Sequence, residues 1–148
     1  MYRRGREAVP DFAGPELLYL RYMRQHFIQG QLLPEGIRSQ LKQSVNRGRF
    51  SEPEDALFSE TAKYDGLGVV EFKVADIPEK VEQPQGPSYV FFMRHEPDDE
   101  NYSHSEIWSD HEVRTDGFRP PSRTVSLLFR TSLCKAIRKE QVRITAVR

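Results

Sequence analysis

Residues 15–30 read PELLYLRYMRQHFIQG, and the fold turns on whether they form a helix or a strand. Pro15 suits an early helical position, where a missing N–H costs nothing, and Gly30 suits a C-terminal stop. Leu18, Tyr19, Tyr22, Met23, His26 and Phe27 then share one side of a helix, with Arg21, Arg24 and Gln25 on the other. The density of aromatic and apolar residues over 17–23 also fits a strand. The helix is the reading carried forward, with the strand as its alternative.

Working outward, PEGIRSQLKQSV (34–45) follows Leu33 and places Ile37, Leu41 and Val45 at steps of four, which predicts a second helix. Ser51 with Glu54 three residues later has capping-box spacing and predicts a short third helix over 52–62. The character then changes. GLGVVEFKVADIP (66–78), SYVFFMRH (88–95) and SHSEIWS (103–109) predict three strands. Beyond a cap at Ser122 or Thr124, Val125, Leu128, Phe129, Leu133, Ala136 and Ile137 recur at three and four, predicting a helix that ends near Lys139. QVRITAV (141–147) alternates and predicts a closing strand. The expected class is α+β: N-terminal helices, then a small mixed four-stranded sheet with a C-terminal helix packed on one face. That last helix is expected to cross over between the third and fourth strands in parallel.

A length of 148 residues suits one domain spanning 1–148, with 1–13 as a flexible basic arm carrying Arg3, Arg4 and Arg6. Hydrophobic content of 37% is modest, but nine Phe, six Tyr and one Trp supply a core. The single cysteine, Cys134, rules out an internal disulfide and a CxxC zinc site, and it falls on the apolar side of the last predicted helix. No apolar run reaches the roughly 20 residues of a membrane helix, so a cytoplasmic protein is expected. Charge is uneven. Residues 1–50 hold nine Lys/Arg and four Asp/Glu (+5), residues 51–112 hold four and sixteen (−12), and residues 113–148 hold nine and two (+7). The basic ends either fold against the acidic middle or present two faces to partners.

The stretch RHEPDDENYSHSEIWSDHE (94–112) holds three of the four histidines. Alternation along a strand puts Tyr102, His104, Glu106 and Trp108 on one face. If a hairpin closes around 96–102, His95 comes near His104. His95, His104 and Glu106 would then form a two-histidine, one-carboxylate set suited to a divalent metal such as zinc, iron or manganese, with His111 and Glu112 as further ligands. Without metal, His104 is a general base oriented by Glu106, assisted by Asp99 and Asn101. The opposing reading is an acidic solvated turn running into a strand. Asp98–Asp99–Glu100–Asn101 lacks the spacing of a calcium loop.

A second candidate is RGRFSEP (47–53), where Arg47 and Arg49 precede a helix start and could clamp an anion. Its arginine, aromatic and serine run resembles a short piece of nicotinamide-consuming RES-type domains. The likeness ends there and lends no residue a role. GLGVV (66–70) lacks the glycine pattern of a dinucleotide fold, and no phosphate-binding loop or GxSxG elbow is present. Two functions follow. The first is a non-catalytic accessory subunit that binds another protein or itself, with the basic termini as docking segments and nucleic acid as a weaker partner. The alternative is a small metal-dependent or acid–base hydrolase of nuclease-like type, centred on His104 and Glu106.

Overall fold

The computed structural model describes residues 12–58, 64–83, 88–99, 101–111 and 121–148. The elements in chain order are β1 (Leu17–Tyr22), β2 (Phe27–Ile28), β3 (Gln31–Leu32), β4 (Gln43–Arg47), β5 (Gly68–Lys73), β6 (Lys80–Val81), β7 (Tyr89–His95), β8 (His104–His111), α1 (Arg123–Cys134) and β9 (Val142–Ile144). Among the described residues seven strands form one sheet in the order β6-β7-β8-β4-β1-β5-β9, and β2 pairs with β3 in a separate hairpin. Every pairing is antiparallel.

This corrects the expected architecture of N-terminal helices on a four-stranded mixed sheet. The 15–30 stretch is β1, a 3₁₀ turn at Arg24–His26, and β2. Leu18, Leu20 and Tyr22 face one side, buried, while Tyr19 and Arg21 face the other. The second predicted helix is a 3₁₀ turn at Pro34–Gly36, then β4. Ile37, Leu41 and Val45 are buried as their spacing required, but along an irregular path. Leu41 and Lys42 both take positive φ, at 63° and 50°. The third predicted helix is a 3₁₀ segment, Pro53–Leu57, closed by Glu52 N–H donating to Asp55 Oδ2 at 2.8 Å; 59–63 lie outside the described residues.

The last helix forms as its apolar spacing demands. Ser122 Oγ accepts from Val125 N–H at 3.2 Å and caps it. Val125, Phe129, Leu133 and Cys134, with Ile137 just beyond, are fully buried against Leu18, Leu20, Val45, Phe72, Phe91 and Ile107. Phe129 stacks on Phe91 at 4.0 Å between centroids. Burying each such side chain contributes about 1.5–3 kcal/mol. α1 lies between β8 and β9 in the chain, which run in the same direction because four antiparallel steps separate them. Three strands stand between them, so they do not pair as expected.

The main core lies between α1 and the inner sheet face. The outer face is partly covered by Pro53–Leu57, where Tyr19, Ala56 and Val69 form a second small cluster. The uncovered part of that face carries the candidate site.

A candidate site on the outer face of the sheet

Register decides which predicted residues meet. β7 and β8 do form the expected hairpin, but His95 lies opposite Ser105, not His104. A one-residue offset puts side chains on opposite faces of a sheet. His95 therefore sits on the inner side and His104 on the outer side. Among the described residues no group of three or more His, Cys, Asp or Glu is placed to hold a metal ion. The set of His95, His104 and Glu106 is not assembled, and Glu112 lies outside the described residues.

His95 instead packs with Phe50 and Tyr102, at centroid distances of 6.0 and 5.0 Å. Its Nδ1 is 3.3 Å from Ser105 Oγ, and its Nε2 is shielded from solvent with no hydrogen-bond partner among the described residues. Burial, and secondarily the nearby Arg47 charge, pushes its pKa below the ordinary value.

Arg47 is also on the inner side and fully buried. Its Nε and Nη2 donate to the two oxygens of Glu16 at 2.6 and 2.7 Å. The rings of Phe12 and Phe50 lie 3.8 and 5.2 Å from its guanidinium carbon. This is the geometry of an internal fastening of β1 to β4, with the charge already answered by a carboxylate. Arg49 is exposed, with its guanidinium carbon 5.7 Å from the Phe50 ring. The pair does not converge as a clamp.

His104 stands in a different setting. Its Nδ1 lies 2.6 Å from the backbone oxygen of Glu96, and its Nε2 lies 3.1 Å from Ser44 Oγ. A carbonyl only accepts, so the proton belongs on Nδ1. In the neutral ring, Nε2 is then the acceptor for the Ser44 hydroxyl. The antiparallel register explains the contact: Asn46 lies opposite His104, and Ser44 lies one same-face step along β4. The sequence reading chose His104 but assigned its orienting group to Glu106. Glu106 instead accepts from Trp108 Nε1 at 2.9 Å. Trp108 has Lys42 and Arg94 over its ring, at 4.6 and 4.2 Å. The partner the sequence missed is Ser44, 60 residues away in the chain.

Asn101 ties the preceding turn to this site. Its Nδ2 donates to Asn46 Oδ1 at 2.8 Å, and its Oδ1 accepts from the Ser103 amide at 3.1 Å. Its own amide donates to Asp98 Oδ1 at 2.7 Å. Asp99 is exposed. Asn46 is buried, and its Nδ2 has no acceptor among the described residues. An orphaned donor costs about 1–3 kcal/mol. Leu41 and Lys42, in the left-handed region just ahead of Ser44, add about 1–3 kcal/mol each. Both costs fall beside the same serine.

A cavity of about 390 Å³ opens over these groups. Ser44, Asn46, Asn101 and His104 line one side, and Tyr19, Arg21, Asp55 and Tyr64 another. β1 and β4 pair only through Leu18–Arg47 and Tyr19–Asn46, and the ladder stops before Ser44. Chemically, the arrangement presents a hydroxyl, a base hydrogen-bonded to it, and a carbonyl that orients the base. Among the described residues no helix is long and apolar enough to cross a membrane. Comparison with known proteins finds no family model, no curated protein and no solved structure that matches the chain.

Proposed function

We propose that the outer-face cavity is a hydrolytic site of the acyl-transfer class, with Ser44 as nucleophile and His104 as general base. The observation that carries this reading is the chain Ser44 Oγ, His104 Nε2, His104 Nδ1, Glu96 oxygen, with links of 3.1 and 2.6 Å, opening into the cavity. As Ser44 Oγ bonds to an ester carbonyl carbon, its proton passes to His104 Nε2 and the carbonyl π pair moves to oxygen. Collapse of that intermediate breaks the bond to the leaving alcohol, which takes the proton from Nε2. Water then repeats the sequence on the acyl-serine and frees the acid. The Glu96 carbonyl fixes the ring orientation and supports the imidazolium while it exists.

The test is hydrolysis of p-nitrophenyl esters by wild type, Ser44→Ala and His104→Ala, with folding checked by circular dichroism. The reading expects Ser44→Ala to lose turnover and His104→Ala to lose about 10²–10⁴-fold in kcat/KM. Equal rates in all three folded proteins would reject it.

A non-catalytic accessory role, through another protein or self-association, is the second reading. Adjacent Leu127 and Leu128 on α1, each 50% exposed, favour it. Light scattering of wild type and a Leu127→Glu, Leu128→Glu variant tests it. Association lost in the variant supports a role for this face, and a monomer in both counts against self-association. A cytoplasmic setting belongs to either reading and is supported by the buried free thiol of Cys134.

A further inference from the structure

We infer that Arg21 is the specificity residue of the cavity and that the substrate carries a carboxylate. This rests on the hydrolytic reading of Ser44 and His104. Arg21 is the only arginine or lysine among the described residues lining the cavity. It is half-buried and held in place from two sides. Nη1 donates to the Ala56 oxygen at 2.8 Å, and the guanidinium lies over the Tyr64 ring at 3.9 Å. Stacking occupies a face of the guanidinium and leaves in-plane N–H groups to point elsewhere. Among the described residues Arg21 has no carboxylate partner, unlike Arg47 and Arg143. An oriented guanidinium on a cavity wall, without a carboxylate partner among the described residues, suits a planar anion.

Its place in the sheet sets it on the same face as the reaction centre. Tyr19 lies opposite Asn46, and Arg21 is the next outer-face residue of β1, just as Ser44 is on β4. The two therefore bound the part of the cavity where β1 and β4 have ceased to pair.

The cavity also holds Asp55 and Asp98, and their charge must be weighed. Both are exposed. Charges in open solvent are screened over about 8 Å at physiological salt, whereas a half-buried one is screened less. Both carboxylates are also engaged with backbone amides, Asp55 with Glu52 and Asp98 with Asn101. Among the described lining residues, one half-buried cation beside two screened anions disfavours a phosphate dianion more than a monoanion. The carboxylate is thus the chemistry the lining selects.

The experiment compares a p-nitrophenyl ester of adipic acid bearing a free carboxylate with its neutral methyl ester. Wild type is expected to favour the charged ester by about tenfold to a hundredfold in kcat/KM, the worth of a charge-assisted hydrogen-bond pair. In a folded Arg21→Gln variant this ratio should collapse toward one. Equal use of both esters by wild type, or an unchanged ratio in the variant, overturns the inference while leaving Ser44 and His104 intact. A binding arm separates the two claims. Monomethyl adipate should raise the melting temperature of wild type and Ser44→Ala but not of Arg21→Gln. If neither ester is turned over, the hydrolytic reading fails, and the melting shift alone decides whether Arg21 binds carboxylate. A shift of equal size in Arg21→Gln sinks the assignment.

Discussion

Glu16→Gln should be among the more costly single-atom changes in this protein. The Arg47 side chain is 0% exposed and that of Glu16 is 7% exposed, with two charge-assisted bonds of 2.6 and 2.7 Å between them. The amide keeps the size and shape of the carboxylate but removes its charge and turns one acceptor into a donor facing a guanidinium. The buried guanidinium then loses the Glu16 charge and faces an amide in its place. Breaking a buried pair in this way costs about 3–5 kcal/mol. With a urea m-value of about 2 kcal/mol/M, the unfolding midpoint falls by roughly 1.5–2.5 M. The protein contains its own control. Arg143 and Glu71 make two bonds of 2.6 Å each, but their side chains are 41% and 14% exposed. Glu71→Gln should cost about 0–1 kcal/mol, because solvent takes over where the partner leaves. The two variants match in chemistry and bond length and differ in burial. Equal midpoint shifts, both under about 1 kcal/mol, would refute the view of Arg47 as an internal fastening.

Other outcomes follow from the same geometry. His95 has a folded-state pKa below its unfolded value of 6.5, so the unfolded chain takes up the proton first as pH falls. Its contribution is present above pH 6.5 and is lost as pH falls through the lower folded value; urea midpoints between pH 7.5 and 5 should fall less steeply in His95→Gln than in wild type. Gly68→Ala should lose about 1–3 kcal/mol by thermal unfolding, since a Cβ there would lie 2.3 Å from Tyr22 Cε1 and 2.6 Å from the Ile144 oxygen. Gln29→Asn should gain about 0.5–1 kcal/mol, because Gln29 and Gly30 both hold positive φ (53° and 77°) at the tip of the β2–β3 hairpin, where Asn-Gly is preferred. Cys134 is fully buried and its thiol is pushed up to about 12, so a native sample should not react with a thiol-specific disulfide reagent until unfolded.

The sheet's later strands and the helix were legible because each carries an unambiguous period. Tyr89–His95 and Gly68–Lys73 fall within the stretches read as strands, His104–His111 runs two residues past the stretch read as 103–109, and Arg123–Cys134 falls within the stretch read as helix. The N-terminal half was misread for a physical reason. Leu18 and Tyr22 are four apart, and so are Ile37, Leu41 and Val45. A step of four is one helical turn but also two strand repeats, so it lies on one face of either element. Tyr19 added to the confusion. It is buried on the outer face under Pro53–Leu57, which blurs the alternation of β1. No local pattern announces that a 3₁₀ segment will fold back over a strand.

His104 was legible as a site residue because it sits in a polar alternating strand. Its partners were not, because they depend on register. The Glu96 carbonyl has no residue-type signature, and Ser44 is brought in by the β4–β8 pairing. His95 was grouped with His104 by proximity in the chain and separated from it by one position of register. Arg47 lay in an arginine-rich run that looked like an anion clamp. That it faces Glu16 follows only from its side of β4. Arg21 had the weakest signal of all, a lone arginine between two tyrosines. The basic arm at 1–13 lies almost wholly outside the described residues, which begin at Phe12.

The most direct test is the intact mass of the protein after exposure to a fluorophosphonate, which captures a serine only where a base activates it. The account predicts one adduct, located on Ser44 by peptide mapping, absent from Ser44→Ala and strongly slowed in His104→Ala. Unmodified wild type, or an adduct elsewhere that persists in Ser44→Ala, would contradict it.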